Sequence, residues 1–203
     1  MAATDVIDID TAQRMLGVDG QADGALLQTY VSSASSLLDR LCGPVVARQV
    51  DSERHDGGGP TIQLRYPPVL VGLDNFGVIE YAGEVAIGLE MEGPGTLPEA
   101  AVLLDARFGV VRRRSSGADA LFAPGRQNVT VDYWAGRYDD TASVDERFRH
   151  ACFQLVAHMW SGEQSAGTAM FGGDQMWSPG PGFAVPNRVR ELLADELLVP
   201  AVA

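Results

Sequence analysis

Lysine is missing from this 203-residue chain: all 15 basic residues are Arg, set against 27 Asp and Glu for a net charge of −12. That balance argues against an ordinary nucleic-acid binder, whose affinity comes from Lys and Arg displacing counterions from phosphates. Asn and Ile are also few while Ala, Gly, Val and Asp abound, the imprint of a GC-rich genome in which AT-rich codons are scarce. Cysteine is limited to Cys42 and Cys152. Both fall in apolar helical patterns, where a reduced thiol packs as a small hydrophobe, so no disulfide framework is expected. No stretch offers the roughly 20 apolar residues of a bilayer span. The first ten residues carry three Asp and no Arg, the reverse of a signal peptide's basic start. A soluble chain, made in the cytoplasm and without a membrane partner, is the expectation.

Catalytic signatures are missing as well. There is no Gly-x-Ser-x-Gly elbow, no His-Glu-x-x-His and no Cys-x-x-Cys. Gly57-Gly58-Gly59-Pro60 lacks the Gly-Lys-Ser/Thr ending and the following helix of a phosphate-cradling loop, and reads as the tip of an exposed hairpin. His150 and His158 lie two turns apart on one predicted helix, about 12 Å along its axis and too far to share a metal; with Gln154 they form a polar stripe. Cys152 has the apolar Val156 at i+4 where a nucleophile would need a base, which favours burial. Carboxylates are so abundant that pairs could be nominated anywhere, and such abundance selects none. No enzyme activity, metal or cofactor is expected; a small acidic enzyme with an unrecognised carboxylate site is the remaining alternative of that class.

What is present is a chain that is 46% hydrophobic, ample for a core. Apolar spacing predicts a short helix over 12–16 capped by Asp10-Thr11, and a long one over 23–41 stopped by Gly43-Pro44. From 45 to 133 the period shortens to β-type runs at 45–50, 61–66, 69–73, 85–91, 109–111 and 128–133. A third helix is predicted from Val144 to about 161, with Ser143 as N-cap and Glu146 completing a capping box. A final helix is predicted over 186–198 with Pro186 in its first turn. The fold class is therefore α+β: a small bundle of about four helices with an inserted β-sheet or hairpin region. The segments are 1–44 (first bundle helices), 45–136 (β insertion), 137–163 (third helix) and 164–203 (apolar loop and last helix).

Two tracts point to partners. Residues 164–186 hold a single charge, Asp174, yet contain Met170, Phe171, Met176, Trp177 and Phe183. A long connection of that composition suits an interface, with Val189 and Leu193 of the last helix as further contacts, or else folds back over its own core. The second tract is a segregation of charge. Residues 74–105 carry seven acids, Glu90 and Glu92 among them, and no Arg, and are followed at once by Arg107, Arg112, Arg113 and Arg114. An acidic face next to a basic one suits head-to-tail pairing of subunits, or else forms two solvated faces of one sheet.

The order of elements also carries a resemblance. A long helix ends in Cys42-Gly43, and Tyr66-Pro67-Pro68-Val69 leads into β structure. Then Val129-Thr130-Val131-Asp132-Tyr133-Trp134-Ala135-Gly136-Arg137 forms a strand and turn before an apolar helix ending in Met159-Trp160. This pattern resembles the head-tail connector (adaptor, or head-completion) proteins of long-tailed double-stranded DNA phages. It departs from them at Val144, where a Pro is common, at Glu163, where a basic residue is common, and in the length of the β insertion. The resemblance implies a non-enzymatic virion protein at the head–tail interface. About a dozen copies would form a homo-oligomeric ring beneath the portal, extending the DNA channel and meeting the next neck, stopper or tail protein. DNA would pass transiently along an acidic wall. Another neck protein, such as a stopper or tail-completion subunit, is the alternative within virion assembly.

Overall fold

The computed structural model describes residues 4–18, 24–71, 76–82, 85–90, 101–168 and 185–198, with backbone only at 81–90 and 163–168. The chain is α+β and divides into two units. One joins Met1–Val45 to Asp140–Ala203 and holds the helices; the other, Val46–Asp139, holds the strands.

In the helical unit, α1 (Ile9–Leu16) starts one turn earlier than the Asp10-Thr11 cap predicts. Asp8 is the cap: its carboxylate accepts from the Thr11 amide and hydroxyl, both at 2.7 Å. Helix α2 (Gly24–Cys42) buries Leu27, Val31, Ala34, Leu38 and Cys42, the helical spacing seen in the sequence. Its end is tied by Asp39, whose carboxylate accepts from the Val45 amide at 2.9 Å. Helix α3 (Glu146–Thr168) packs Phe148, Ala151, Cys152, Leu155 and Val156 into the same core and lies against α2. Its cap is Asp145 rather than Ser143, since Asp145 accepts from the Arg147 amide at 2.8 Å. Ser143 is occupied one turn earlier, its amide donating to the Asp140 carboxylate at 2.8 Å, and the capping box does not form. Helix α4 (Asn187–Leu192) is shorter than predicted. The Ala194 amide bonds the Glu191 carbonyl, tightening the turn, and the chain then brings the Leu198 amide to the Leu41 carbonyl at 2.8 Å.

The β unit contains, among the described residues, β1 (Arg48–His55), β2 (Thr61–Gln63), β3 (Gly77–Ala82), β4 (Val85–Glu90), β5 (Val102–Asp105), β6 (Val110–Ser115), β7 (Ala118–Asp119) and β8 (Val129–Ala135). They form two antiparallel sheets, one ordered β1-β8-β3-β4 and the other β2-β6-β5 with β7 on β6. Strand β8 alternates strictly. Val129, Val131, Tyr133 and Ala135 are buried, and Thr130, Asp132 and Trp134 are half-buried on the other face. The buried set joins Ile62, Leu64, Val69, Val78, Val102, Val111 and Phe122 in one core shared by both sheets.

Gly57 to Pro60 is not a hairpin tip. Strand β1 pairs with β8 and β2 with β6, so this link carries the chain from one sheet to the other. Its amides are used on the 122–125 segment: Gly57 donates to the Gly125 carbonyl and Gly58 to that of Phe122, both at 3.0 Å. Of the strand expected over 69–73, Val69 makes a bridge with Ala135, and residues 72–73 lie outside the described residues.

The Tyr-Pro-Pro-Val step and the Ala-Gly turn meet in this unit. The Leu70 amide donates to the Trp134 carbonyl at 2.8 Å and the Gly136 amide to the Pro68 carbonyl at 2.9 Å. Gly136 has φ +154°, and a Cβ there would stand 2.7 Å from the Ala47 Cα. Position 136 thus needs glycine for its backbone angle and for the passing strand. Gly136→Ala should destabilise the chain by about 3 kcal/mol, measured by chemical denaturation; a loss below about 0.5 kcal/mol would mean that the 46–47 backbone yields freely.

Candidate assembly interface

Period-two alternation sorts the basic group of β6. Arg112 is exposed and lies in register with Leu103 of β5 and Thr61 of β2. Arg114 shares that side and donates to the Gly117 carbonyl of its own turn at 2.6 Å. Arg113 points the other way. Its Nε lies 3.3 Å from the Glu80 carboxylate, and its Nη1 donates to the Ala101 carbonyl at 3.1 Å. Glu80, on β3, is 2% exposed and also accepts from the Ala123 amide. The pair therefore links the two sheets across their shared core. Arg113, expected to serve pairing between subunits, is paired here with Glu80 of its own chain.

A second, partly buried carboxylate organises the junction of β1, β8 and the 64–66 segment. Glu53 accepts from the Tyr133 hydroxyl at 2.7 Å and from the Arg65 amide at 2.9 Å, and meets His55 Nε2 at 2.8 Å. The Tyr133 hydroxyl in turn accepts from the Tyr66 amide at 3.2 Å. Burial, and then the neighbouring Glu53 carboxylate, push the Tyr133 phenol above its ordinary range. The Arg48 and Arg65 guanidinium groups lie 5.0 and 5.5 Å from the centre of the Tyr66 ring.

The remaining predicted contacts fall as follows. Val189 and Leu193 were expected to meet a partner, but both are fully buried in the helical unit, because the apolar stripe of α4 is needed to close that core. Met170, Phe171, Met176, Trp177, Phe183 and Glu92 lie outside the described residues, and Glu90 is placed on β4 by its backbone alone. His150 does bond Gln154, at 2.7 Å. Among the described residues no cluster of three or more His, Cys, Asp or Glu could hold a metal ion, and no helix is long and apolar enough to cross a membrane. Cys152 is buried beside Ser35, its sulfur 3.8 Å from the hydroxyl, and burial pushes its thiol from 9.0 up to about 12. That environment suits packing and opposes a nucleophile. An open groove of about 660 Å³ runs along α2, lined by Gln28, Ser32, Ser36, Leu37 and Arg40 with Met159 of α3.

Two features were not anticipated. One is the buried Glu80, which in sequence is one acid in an acidic tract. The other is Phe108, 59% exposed in the turn between β5 and β6. A Phe set between Arg107 and Gly109 is the signal that could have marked it, since an apolar ring at a glycine-containing turn has no strand face to bury it.

No protein-family model matches the sequence, and no curated protein matches it. Solved structures do. A chain from the neck of an empty gene transfer agent particle, computed with C6 symmetry, superposes with a TM-score of 0.60 over 98% of this chain and 92% of that one, at 17% identity. The fold is shared with a neck chain. A chain from the virion of the native gene transfer agent particle gives a TM-score of 0.54, covering 100% of this chain and 98% of that one at 17% identity. A chain from the native neck computed with C12 symmetry gives 0.51, with the same coverage at 15% identity. At these identities the correspondence is one of fold.

Glu80→Ala should cost about 2–3 kcal/mol, because it leaves the Arg113 charge largely buried without its partner. Glu80→Leu with Arg113→Leu should recover most of that loss in the same denaturation assay; a double variant as weak as the single one would rule out the charge as the cause. For Cys152, the folded state holds its proton more tightly than the unfolded state. Stability should therefore fall as pH rises from about 9 towards 12, by up to about 1.4 kcal/mol per pH unit from this group. Thermal melts of Cys152→Ala should show a shallower alkaline slope, and an identical slope would contradict the assignment.

Proposed function

We propose that this chain is a structural protein of the neck of a phage-like particle, forming a homo-oligomeric ring beneath the portal that extends the DNA channel and joins the head to the neck or tail. The observation that best supports this reading is the fold correspondence over nearly the whole chain with chains of gene transfer agent necks, two of them computed with rotational symmetry. The Tyr66-Pro67-Pro68-Val69 step and the Val129 to Gly136 strand and turn add to it, since the motifs that carry the connector resemblance bond to each other in the fold. Portal and the next neck, stopper or tail protein are the proposed partners, and the head–tail interface of the virion the proposed location.

The net charge of −12 suits a wall along which DNA slides, because like charge keeps a duplex from adhering. For docking on the portal, the apolar tract with Met170, Phe171, Met176, Trp177 and Phe183 is the proposed element; Val189 and Leu193 support it only from inside the core. For subunit pairing, Arg112 and Arg114 on the outer side of β6 are the proposed basic contacts, with Glu90 and Glu92 as acidic counterparts.

Mass photometry of the purified chain, alone and with a portal ring from a related phage, tests the reading. Ring-sized particles or capture by portal are expected, and a chain that stays monomeric and ignores portal would overturn it. Arg112→Glu with Arg114→Glu should weaken association at least about tenfold, most clearly at low salt, where exposed charges are least screened. Unchanged rings would remove these arginines from the interface.

A further inference from the structure

The turn Ala106-Arg107-Phe108-Gly109 presents an aromatic side chain to solvent on a backbone that is held almost residue by residue. The Val69 amide donates to the Ala106 carbonyl and the Leu64 amide to the Gly109 carbonyl, both at 2.8 Å. Gln63 Nε2 donates to the Phe108 carbonyl at 2.6 Å, and the Phe108 amide reaches the Asp105 carboxylate at 3.4 Å. Gly109, at φ +63°, sits against Pro67 and Leu64. The 63–69 stretch and Asp105 thus fix a turn whose Phe side chain they leave exposed. Rigid presentation matters, because a side chain ordered beforehand loses little entropy on binding.

The surroundings specify the partner's chemistry. The Arg107 guanidinium lies 5.6 Å from the centre of the Phe108 ring. On the adjoining outer side of the sheet, exposed Arg112 stands in register with Leu103, itself 39% exposed. Apart from Arg113, which turns inward to Glu80, strands β2, β5 and β6 with this turn carry three Arg and one acid, Asp105. An exposed aromatic flanked by Arg is the composition of an interface anchor, and its complement is an acidic surface with an apolar recess. The helical unit of this protein carries the greater acidic excess in its sequence, with six Arg against fourteen Asp and Glu for a net charge of −8. The β unit has nine against thirteen, for −4. A closed ring also requires two different patches that meet head to tail.

We infer that the Arg107–Phe108 turn is an anchor that inserts into the helical unit of a second copy of this chain. The inference rests on the ring reading above and names the contact that builds the ring. It differs from the Arg112 and Arg114 contact in being mainly apolar, so it should persist in salt that screens surface charge.

The test uses the full chain. Wild-type assembly is measured first by mass photometry over a concentration series, and then that of Phe108→Ala and of Leu121→Ala, which trims an apolar side chain of similar exposure, 65%, on the same unit. Phe108→Ala should weaken association about 30-fold in both low and high salt with an unchanged thermal melt, and Leu121→Ala should leave it intact. A photo-crosslinking phenylalanine at position 108 in mixed isotope-labelled chains should join one copy to residues 1–45 or 140–203 of another. Wild-type rings that Phe108→Ala leaves unchanged, or that Leu121→Ala weakens equally, would overturn the anchor and leave the ring reading standing. So would rings in which position 108 crosslinks only within its own chain, only to residues 46–139 of another copy, or to nothing. A wild-type chain that stays monomeric throughout would overturn both.

Discussion

The β unit depends on the antiparallel pairing of its first and last strands. Strand β1 lies along β8 from Arg48 opposite Ala135 to His55 opposite Val129, interrupted by an irregularity between Val50 and Glu53. The chain thereby enters and leaves the unit side by side. Val46 bridges Tyr138, and the Ala47 amide donates to the Tyr138 carbonyl at 2.8 Å. An insertion of about 90 residues into a helical unit can be accommodated only if its ends are brought together, at an entropic cost that strand pairing offsets. Gly136 is where this closure is tightest, because any side chain there would meet the Ala47 backbone.

Closure at β1 and β8 also sets the chemistry of the interior. It places Tyr133 beside Glu53, so that a buried phenol and a partly buried carboxylate satisfy each other and hold the 64–66 segment through two backbone amides. In the same unit, Glu80 and Arg113 join the two sheets. Glu80 is buried and Glu53 partly so, each with hydrogen-bonding partners, and in this arrangement they serve as cross-links within the fold. Excess acid elsewhere gives the chain its net negative charge and leaves the outer side of β6 and its neighbouring turn as a local basic surface.

Much of the helical unit was legible in the sequence because a helix writes its buried face at a fixed spacing. Leu27, Val31, Ala34 and Leu38 of α2 and Phe148, Cys152, Leu155 and Val156 of α3 lie inside as their spacing indicates. Helix ends were less legible. Asp8 and Asp145 cap where Asp10 and Ser143 were expected, since several short polar residues in a row can each cap and neighbouring bonds choose between them. The alternation of β8 was plain, but the partners of β1 and β2 were not. A Gly-rich link between two strands looks the same whether it folds them together or sends them to different sheets.

The sequence by itself determined the α+β class, the strand ending in Tyr133 to Gly136, the apolar stripes of the helices and the burial of both cysteines. Each of these is a local pattern of side-chain size and polarity, which the 3.6- and two-residue periods convert directly into an inside and an outside. Only the tertiary structure decided which arginine of the 112–114 group turns inward to a carboxylate 33 residues away, that Val189 and Leu193 close a core, and that Phe108 stands in solvent. Those outcomes depend on which distant segment arrives opposite each residue, and strand pairing and core closure settle that by acting on the whole chain at once.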